Sequence, residues 1–284
     1  MSRNLNRTNV QTPSGPPSRP DLQQTQRNPF GISFVVPTEV VELPTAGRFY
    51  SEESSMYGRS TLEIKQMTAK EEEILSNISF IEDGSMIDRL LASIVVDVNV
   101  KVKEIMTNDK NAIIMAARLA SYGPQYEVTR FCEGCNTDQK FLYDLRKMKV
   151  NHEIPEGVSI EEGTGFCVYK LPQTELEVVS KVLTPEDEAY LSDQKKRAKK
   201  LGIENSETVN FLRRVIVSVN NVTDPALLGQ LFEVLPVLDL RKIKKVTNQA
   251  LPSLDTTQEI TCGSCGHATE SEVPFSLGFF WPEL

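Results

Sequence analysis

Histidine is nearly missing from this sequence, with two in 284 residues, and tryptophan occurs once. Catalytic Ser–His or Cys–His pairs and His-rich metal centres therefore have little to be built from. No Gly-rich phosphate loop and no Gly-x-Ser-x-Gly elbow occur. These absences predict a non-enzyme with no small-molecule substrate. Positive charge is also short: 31 Lys and Arg stand against 39 Asp and Glu, a net charge of −8. That balance disfavours nonspecific attraction to nucleic-acid phosphates, though it leaves room for a local basic patch. No apolar run approaches the roughly 20 residues of a bilayer span. The N-terminus lacks the apolar core of a signal peptide. The expectation is a protein made and kept in a cytoplasm, with no membrane contact.

What remains is ordinary globular composition, 39% hydrophobic and 25% charged. The length allows about two domains. Residues 1–33 are rich in Asn, Gln, Ser and Pro, with no aromatic before Phe30 and with four Arg against one Asp. Such a segment cannot bury enough surface to offset its chain entropy, so it reads as a disordered arm. Residues 34–122 read as an extended segment followed by helices. "STLEIKQM" alternates as a strand. "TAKEEEIL" opens a helix on Thr68 with Glu71 in a capping box. Ile87, Leu90, Leu91, Ile94 and Val95 form a helical stripe capped by Ser85. A further helix is capped by Asp109, with Ile113, Ala117 and Ala120 on one face, and ends at Gly123 and Pro124. Residues 123–183 read as β, including a hairpin from "FCVYKL" to "ELEVVSKVL". Residues 184–253 read as an inserted helical region. Its helices start at Thr184–Pro185 and Asp224–Pro225. "SETVNFLRRVIVSV" reads as helix with an end that suits a strand. Residues 254–284 return to β. The expected fold class is α+β: a helical N-terminal region, a β region and a helical insertion.

Five cysteines are present, four of them as pairs: Cys132 with Cys135, and Cys262 with Cys265. In a reducing compartment such pairs read as metal or redox sites rather than disulfides. Two intervening residues let a tight turn aim both sulfurs at one point. Gly134, Gly263 and Gly266 supply the conformational freedom such turns use. Structural zinc takes four ligands in a tetrahedron. The two pairs therefore predict one four-cysteine zinc ribbon. It must be discontinuous, because 126 residues lie between Cys135 and Cys262. The rival reading is a redox dithiol, although neither pair sits in a strand–Cys-x-x-Cys–helix unit. His267 either supports a sulfur or faces solvent. Cys167 reads as a small core residue. The "EGVSIEEGTG" stretch reads as a solvated acidic turn with Glu161 and Glu162. The basic stretches at 194–200 and 241–246 read as solvated helix faces or as surfaces for an acidic partner. The C-terminal aromatics Phe275, Phe279, Phe280 and Trp281 either close the ribbon core or anchor a partner. For Phe279, Phe280 and Trp281 the partner-binding role is kept as a candidate.

An ordered series then stands out: "ELPTAGRFY", "LEIKQMTAKEEEIL", "IDRLLASIVVD", "DKNAIIMAARLASYG" with "YEV", the first Cys-x-x-Cys, "LTPEDE", "VIVSVNNVTD", "CGSCGH" and "FFWP". In this order the chain after residue 38 resembles the T4-like bacteriophage baseplate hub family, whose members are described as baseplate hub subunits or hub assembly chaperones. The resemblance implies a protein that binds hub or tail-tube initiator proteins while a contractile tail is built. It implies the host cytoplasm during assembly, or the virion tail baseplate, as its location. It assigns no catalytic residues and carries over Cys132, Cys135, Cys262 and Cys265 as zinc ligands. Two other readings of the same residues are a nucleic-acid-binding zinc-ribbon protein of the late transcription factor type and a thiol oxidoreductase. The acidic net charge, and the absence of basic or aromatic residues inside either knuckle, weigh against the first.

Overall fold

The computed structural model describes residues 35–161, 164–202, 206–275 and 277–280. The expected arm at 1–33 and Trp281 lie outside them. Strand β1 (Thr38–Glu42) pairs antiparallel with β2 (Thr61–Lys65), where Leu62 and Ile64 alternate into the core. Helix α1 (Ala69–Ser76) starts as expected. The Thr68 amide donates to Glu71 Oε2 at 2.9 Å and the Thr68 hydroxyl donates to the same oxygen at 2.6 Å. A short helix α2 (Ile78–Asp83) follows. Helix α3 (Met86–Ile94) buries Met86, Leu90, Leu91 and Ile94, while Ile87 and Val95 are half-buried. Ser85 occupies the cap position, but its hydroxyl accepts from Arg89 Nε at 2.9 Å rather than from an amide.

Helix α4 (Thr107–Tyr122) corrects one expectation. Asp109 lies inside its first turn and Met106 is the cap residue. The Asp109 carboxylate is buried and accepts from the Thr45 amide at 3.0 Å, the Thr45 hydroxyl at 2.6 Å and the Tyr50 hydroxyl at 2.7 Å. These distant partners take the acceptor that a local cap would have used. Gly123, at φ +81°, ends the helix with its amide on the Leu119 carbonyl.

Strands β3 (Gln125–Cys132) and β4 (Thr137–Asp144) form a hairpin. Strand β5 (Lys149–Asn151) pairs with the distant β10 (Ser253–Asp255). The largest sheet is antiparallel, in the order β6-β7-β8-β9: β6 (Val158–Glu161), β7 (Phe166–Lys170), β8 (Glu177–Lys181) and β9 (Ile216–Val219). β6 occupies the stretch read as an acidic turn, and its Val158 and Ile160 pack against the core. Helices α5 (Pro185–Leu201) and α6 (Glu207–Val215) lie between β8 and β9. β9 begins directly after α6, so "RRVIVSV" holds both states: the β-branched run joins the sheet. The Asp187 carboxylate is buried in the first turn of α5, where it caps Thr184 and forms ion pairs with Lys181 at 2.8 Å and with Arg214 of α6.

Helix α7 (Pro225–Val234) is capped by Asp224, which accepts from the amides of Ala226 and Leu227. Helix α8 (Val237–Gln249) buries Ile243 and Val246, and Leu240 is half-buried. Its buried Asp239 accepts from the amides of Gln173 and Thr174 and from the Thr174 hydroxyl, at 2.8–3.1 Å. That ties α8 to the turn between β7 and β8. β11 (Thr257–Thr261) and β12 (Ala268–Glu272) form a last hairpin, and a 3-10 turn spans Leu277–Phe280. The fold is α+β, with helices inserted between two cysteine-bearing β segments. Length alone allows about two domains, yet the chain from Pro37 onward forms one compact unit. Among the described residues no helix is long and apolar enough to cross a membrane.

Candidate metal centre

Each Cys-x-x-Cys lies at the tip of a hairpin. The β3–β4 ladder runs in register to Cys132 opposite Thr137, and the β11–β12 ladder to Thr261 opposite Ala268. The two tips fold alike. The Asn136 amide donates to the Cys132 carbonyl at 2.8 Å, and the Gly266 amide to the Cys262 carbonyl at 2.9 Å. The residue after each second cysteine is left-handed, Asn136 at φ +53° and Gly266 at φ +71°. Asn and Gly are the residues that reach this region most readily.

The four sulfurs converge. All Sγ atoms lie within 4.8 Å of one another, and Cys132 Sγ is 3.7 Å from Cys265 Sγ. Zinc–sulfur bonds of about 2.3 Å place the corners of a tetrahedron about 3.8 Å apart. The donor set therefore fits a tetrahedral, thiophilic ion. Cys132 and Cys262 are buried, Cys135 is half-buried and Cys265 is exposed. The Cys265 amide, helped by that of Ser264, points at Cys262 Sγ and brings its thiol down to about 7. The His267 amide likewise faces Cys265 Sγ, but local desolvation and the neighbouring sulfurs of Cys262, Cys132 and Cys135 prevail and push that thiol up to about 12. A thiophilic cation held among such sulfurs would favour their thiolate forms.

The hairpins are also fastened by groups of which sequence reasoning singled out only Gly134. A Cβ on Gly134 would lie 2.6 Å from His267 Cβ and 3.0 Å from Cys265 Sγ, so the first tip accepts only glycine against the second. The Ser264 hydroxyl donates to Gln139 Oε1 at 2.5 Å, and the Tyr143 hydroxyl to Ser271 Oγ at 3.1 Å. Arg130 donates to the Tyr143 hydroxyl at 2.8 Å. The Gln258 side chain bonds both backbone groups of Asp144, at 3.1 and 2.9 Å, where a strand would have done so. Nothing in a single sequence marks partners this remote. Gly134 alone carried a signal, as a glycine inside a knuckle.

The other candidates fall elsewhere. His267 is exposed and serves through its backbone, its carbonyl accepting from the Cys262 amide at 2.9 Å. Cys167 is buried in β7, away from the cluster, and burial pushes its thiol up to about 11. Phe279 and Phe280 are in the core, not on a docking surface. The Phe279 ring stands edge-on to Tyr126 at 5.1 Å, and its carbonyl accepts from the buried Arg118 Nε at 2.8 Å. Phe275 is 44% exposed.

Two hairpin tips sharing one four-thiol centre, with the β6–β9 sheet and helices α5–α8 lying between them in the chain, define a split-ribbon protein whose candidate metal site joins the middle of the chain to its end. The sequence matches the family described as T4 bacteriophage base plate protein over residues 37–281. The chain belongs to that family and is a bacteriophage baseplate protein. Searches of curated proteins and of solved structures returned no match.

Proposed function

We propose that this chain is a baseplate hub subunit or a hub assembly chaperone that acts by protein–protein binding, with structural zinc in the four-thiol centre. The family match over residues 37–281 carries the reading. The partners are hub or tail-tube initiator proteins; no small-molecule substrate, nucleic acid or membrane takes part. The protein works in the host cytoplasm during assembly and in the virion tail baseplate if it is retained. A binding role rather than an enzymatic one is supported by the donor set: four thiolates fill a tetrahedron and leave no position for a reacting water. Zinc supplies a cross-link when bound. Cys132 and Cys135 hold the middle of the chain and Cys262 and Cys265 its end, while Gln258, Ser264 and Ser271 orient one hairpin on the other.

Co-expression with the phage hub proteins tests this. The wild-type chain is expected to carry about one zinc per molecule and to support hub assembly. Cys262→Ser with Cys265→Ser is expected to lose both. Equal zinc content and equal assembly would count against the reading, and a salt-dependent gel shift on DNA or RNA would favour the nucleic-acid alternative. Mass spectrometry of purified virions then separates the two roles: a fixed low copy number marks a subunit, and absence marks a chaperone.

A further inference from the structure

Helices α7 and α8 leave an apolar ridge uncovered. Leu227 and Val234 lie two turns apart on one face of α7 and are 55% and 75% exposed. Val237 and Leu238, in the first turn of α8, are 64% and 56% exposed. The opposite faces already supply the core through Leu228, Phe232, Ile243 and Val246, so folding does not account for the outward residues. Large apolar side chains left exposed close together in the chain, on two successive helices, are candidates for a contact site. The ridge runs on into positive charge, with Arg241, Lys244 and Lys245 exposed on the next turns of α8. Among the described residues none of the three has a carboxylate within ion-pair distance. This is a basic face on a chain of net charge −8.

The complementary chemistry lies on the ribbon. β11 and β12 set Glu259 directly opposite Glu270, with Glu272 on the same exposed face. Like charges opposed across strands destabilise a hairpin, and among the described residues no cation forms an ion pair with these three. A groove of about 730 Å³ runs along the unpaired edge of β12 towards β3. Val128, Pro274 and Phe275 provide its apolar lining and Glu270 and Glu272 its acidic rim. Arg130 also lines it, with its guanidinium engaged by the Tyr143 hydroxyl.

We propose that the α7–α8 ridge of one copy docks into the acidic groove beside β12 of a second copy. Leu227, Val234 and Leu238 fill the groove, and Arg241 and Lys245 meet Glu270 and Glu272. Two different patches meet, so each copy offers both halves of the contact: reciprocal docking closes a dimer, and head-to-tail docking propagates into a ring or a short chain. It requires no other protein and does not rest on the hub reading.

Sedimentation velocity on the purified full-length chain with zinc present tests it. The wild type is expected to associate with rising concentration, more strongly at low than at high salt. Arg241→Glu with Lys245→Glu, and separately Glu270→Lys with Glu272→Lys, are each expected to raise the concentration of half-association at least about tenfold. Glu270→Lys also faces Glu259, so that variant relieves a repulsion and its fold is not endangered. Mixed in equal amounts, the two charge-reversed chains are expected to recover association, because each altered patch now meets its opposite. That recovery also excludes misfolding as the cause of either loss. Leu227→Ser with Val234→Ser, which leaves every charge in place, is expected to weaken association as well. A wild type that stays monomeric up to about 100 µM, a charge reversal without effect, or a mixture that does not recover would each overturn the proposal.

Discussion

Gly134 sits where the first hairpin tip leaves no room for a side chain against the second. A methyl group there meets His267 Cβ at 2.6 Å and Cys265 Sγ at 3.0 Å, against a carbon that belongs to the other hairpin's tip. Gly263, in the second knuckle, has nothing within 4 Å of the same position. Gly134→Ala is therefore expected to weaken zinc binding about tenfold or more, as displacement of a ligand's supporting shell does. Gly263→Ala should leave it nearly unchanged. Competition against a chromophoric chelator measures both, and equal affinities would contradict the interlock. The spacing of the cysteines was legible residue by residue, but this difference between two knuckle glycines was not, because it depends on which atoms of the other hairpin arrive nearby. Asp109 teaches the same lesson. Its position suited a helix cap, yet Thr45 and Tyr50 claim its carboxylate from a loop more than fifty positions away. Arg118 is a third case. No local pattern marks it, and it is buried with its donors on the carbonyls of Gly123, Gln125 and Phe279.

Helices and hairpins with local start signals were readable. Thr184 and Asp224 each precede a proline and each caps the helix that follows. Gly123 and Gly202 end theirs. Where the signal was non-local, the reading fell short. β6 hid in an acidic stretch because two inward residues, Val158 and Ile160, are too few to reveal a period without the neighbouring strand. The end of "SETVNFLRRVIVSV" becomes β9 because β8 presents a free edge there. Asp239 shows how the inserted elements are coupled. It is the link that holds α8 against the β7–β8 turn, through three hydrogen bonds to one carboxylate. Asp239→Ala leaves two amides and a hydroxyl without that acceptor and is expected to lower unfolding free energy by about 3 kcal/mol. Urea denaturation at neutral pH reads this directly, and a loss below about 1 kcal/mol would mean solvent replaces the carboxylate.

For the whole molecule, the centre joins residues 132–135 to 262–265 across almost half the chain. Structural zinc in such a site contributes on the order of 10 kcal/mol to folding. Chelation is therefore expected to release the β11–β12 hairpin first. Hydrogen exchange should rise sharply across β11, β12 and the tip of β3–β4. The β6–β9 sheet, which is held by its own ladder and by Asp187 and Asp239, should stay protected. Uniform loss of protection would show that the insertion depends on the ion as much as the ribbon does. The sequence alone determined that four thiols occur in two knuckles, where most helices begin and end, and that the chain is α+β, since spacing, capping and periodicity act over a few residues. Only the tertiary structure decided that the two knuckles meet, that Phe279 and Phe280 are core, and that an apolar and basic ridge remains uncovered. Those outcomes depend on which distant surfaces come together as the chain folds, and no local pattern encodes that.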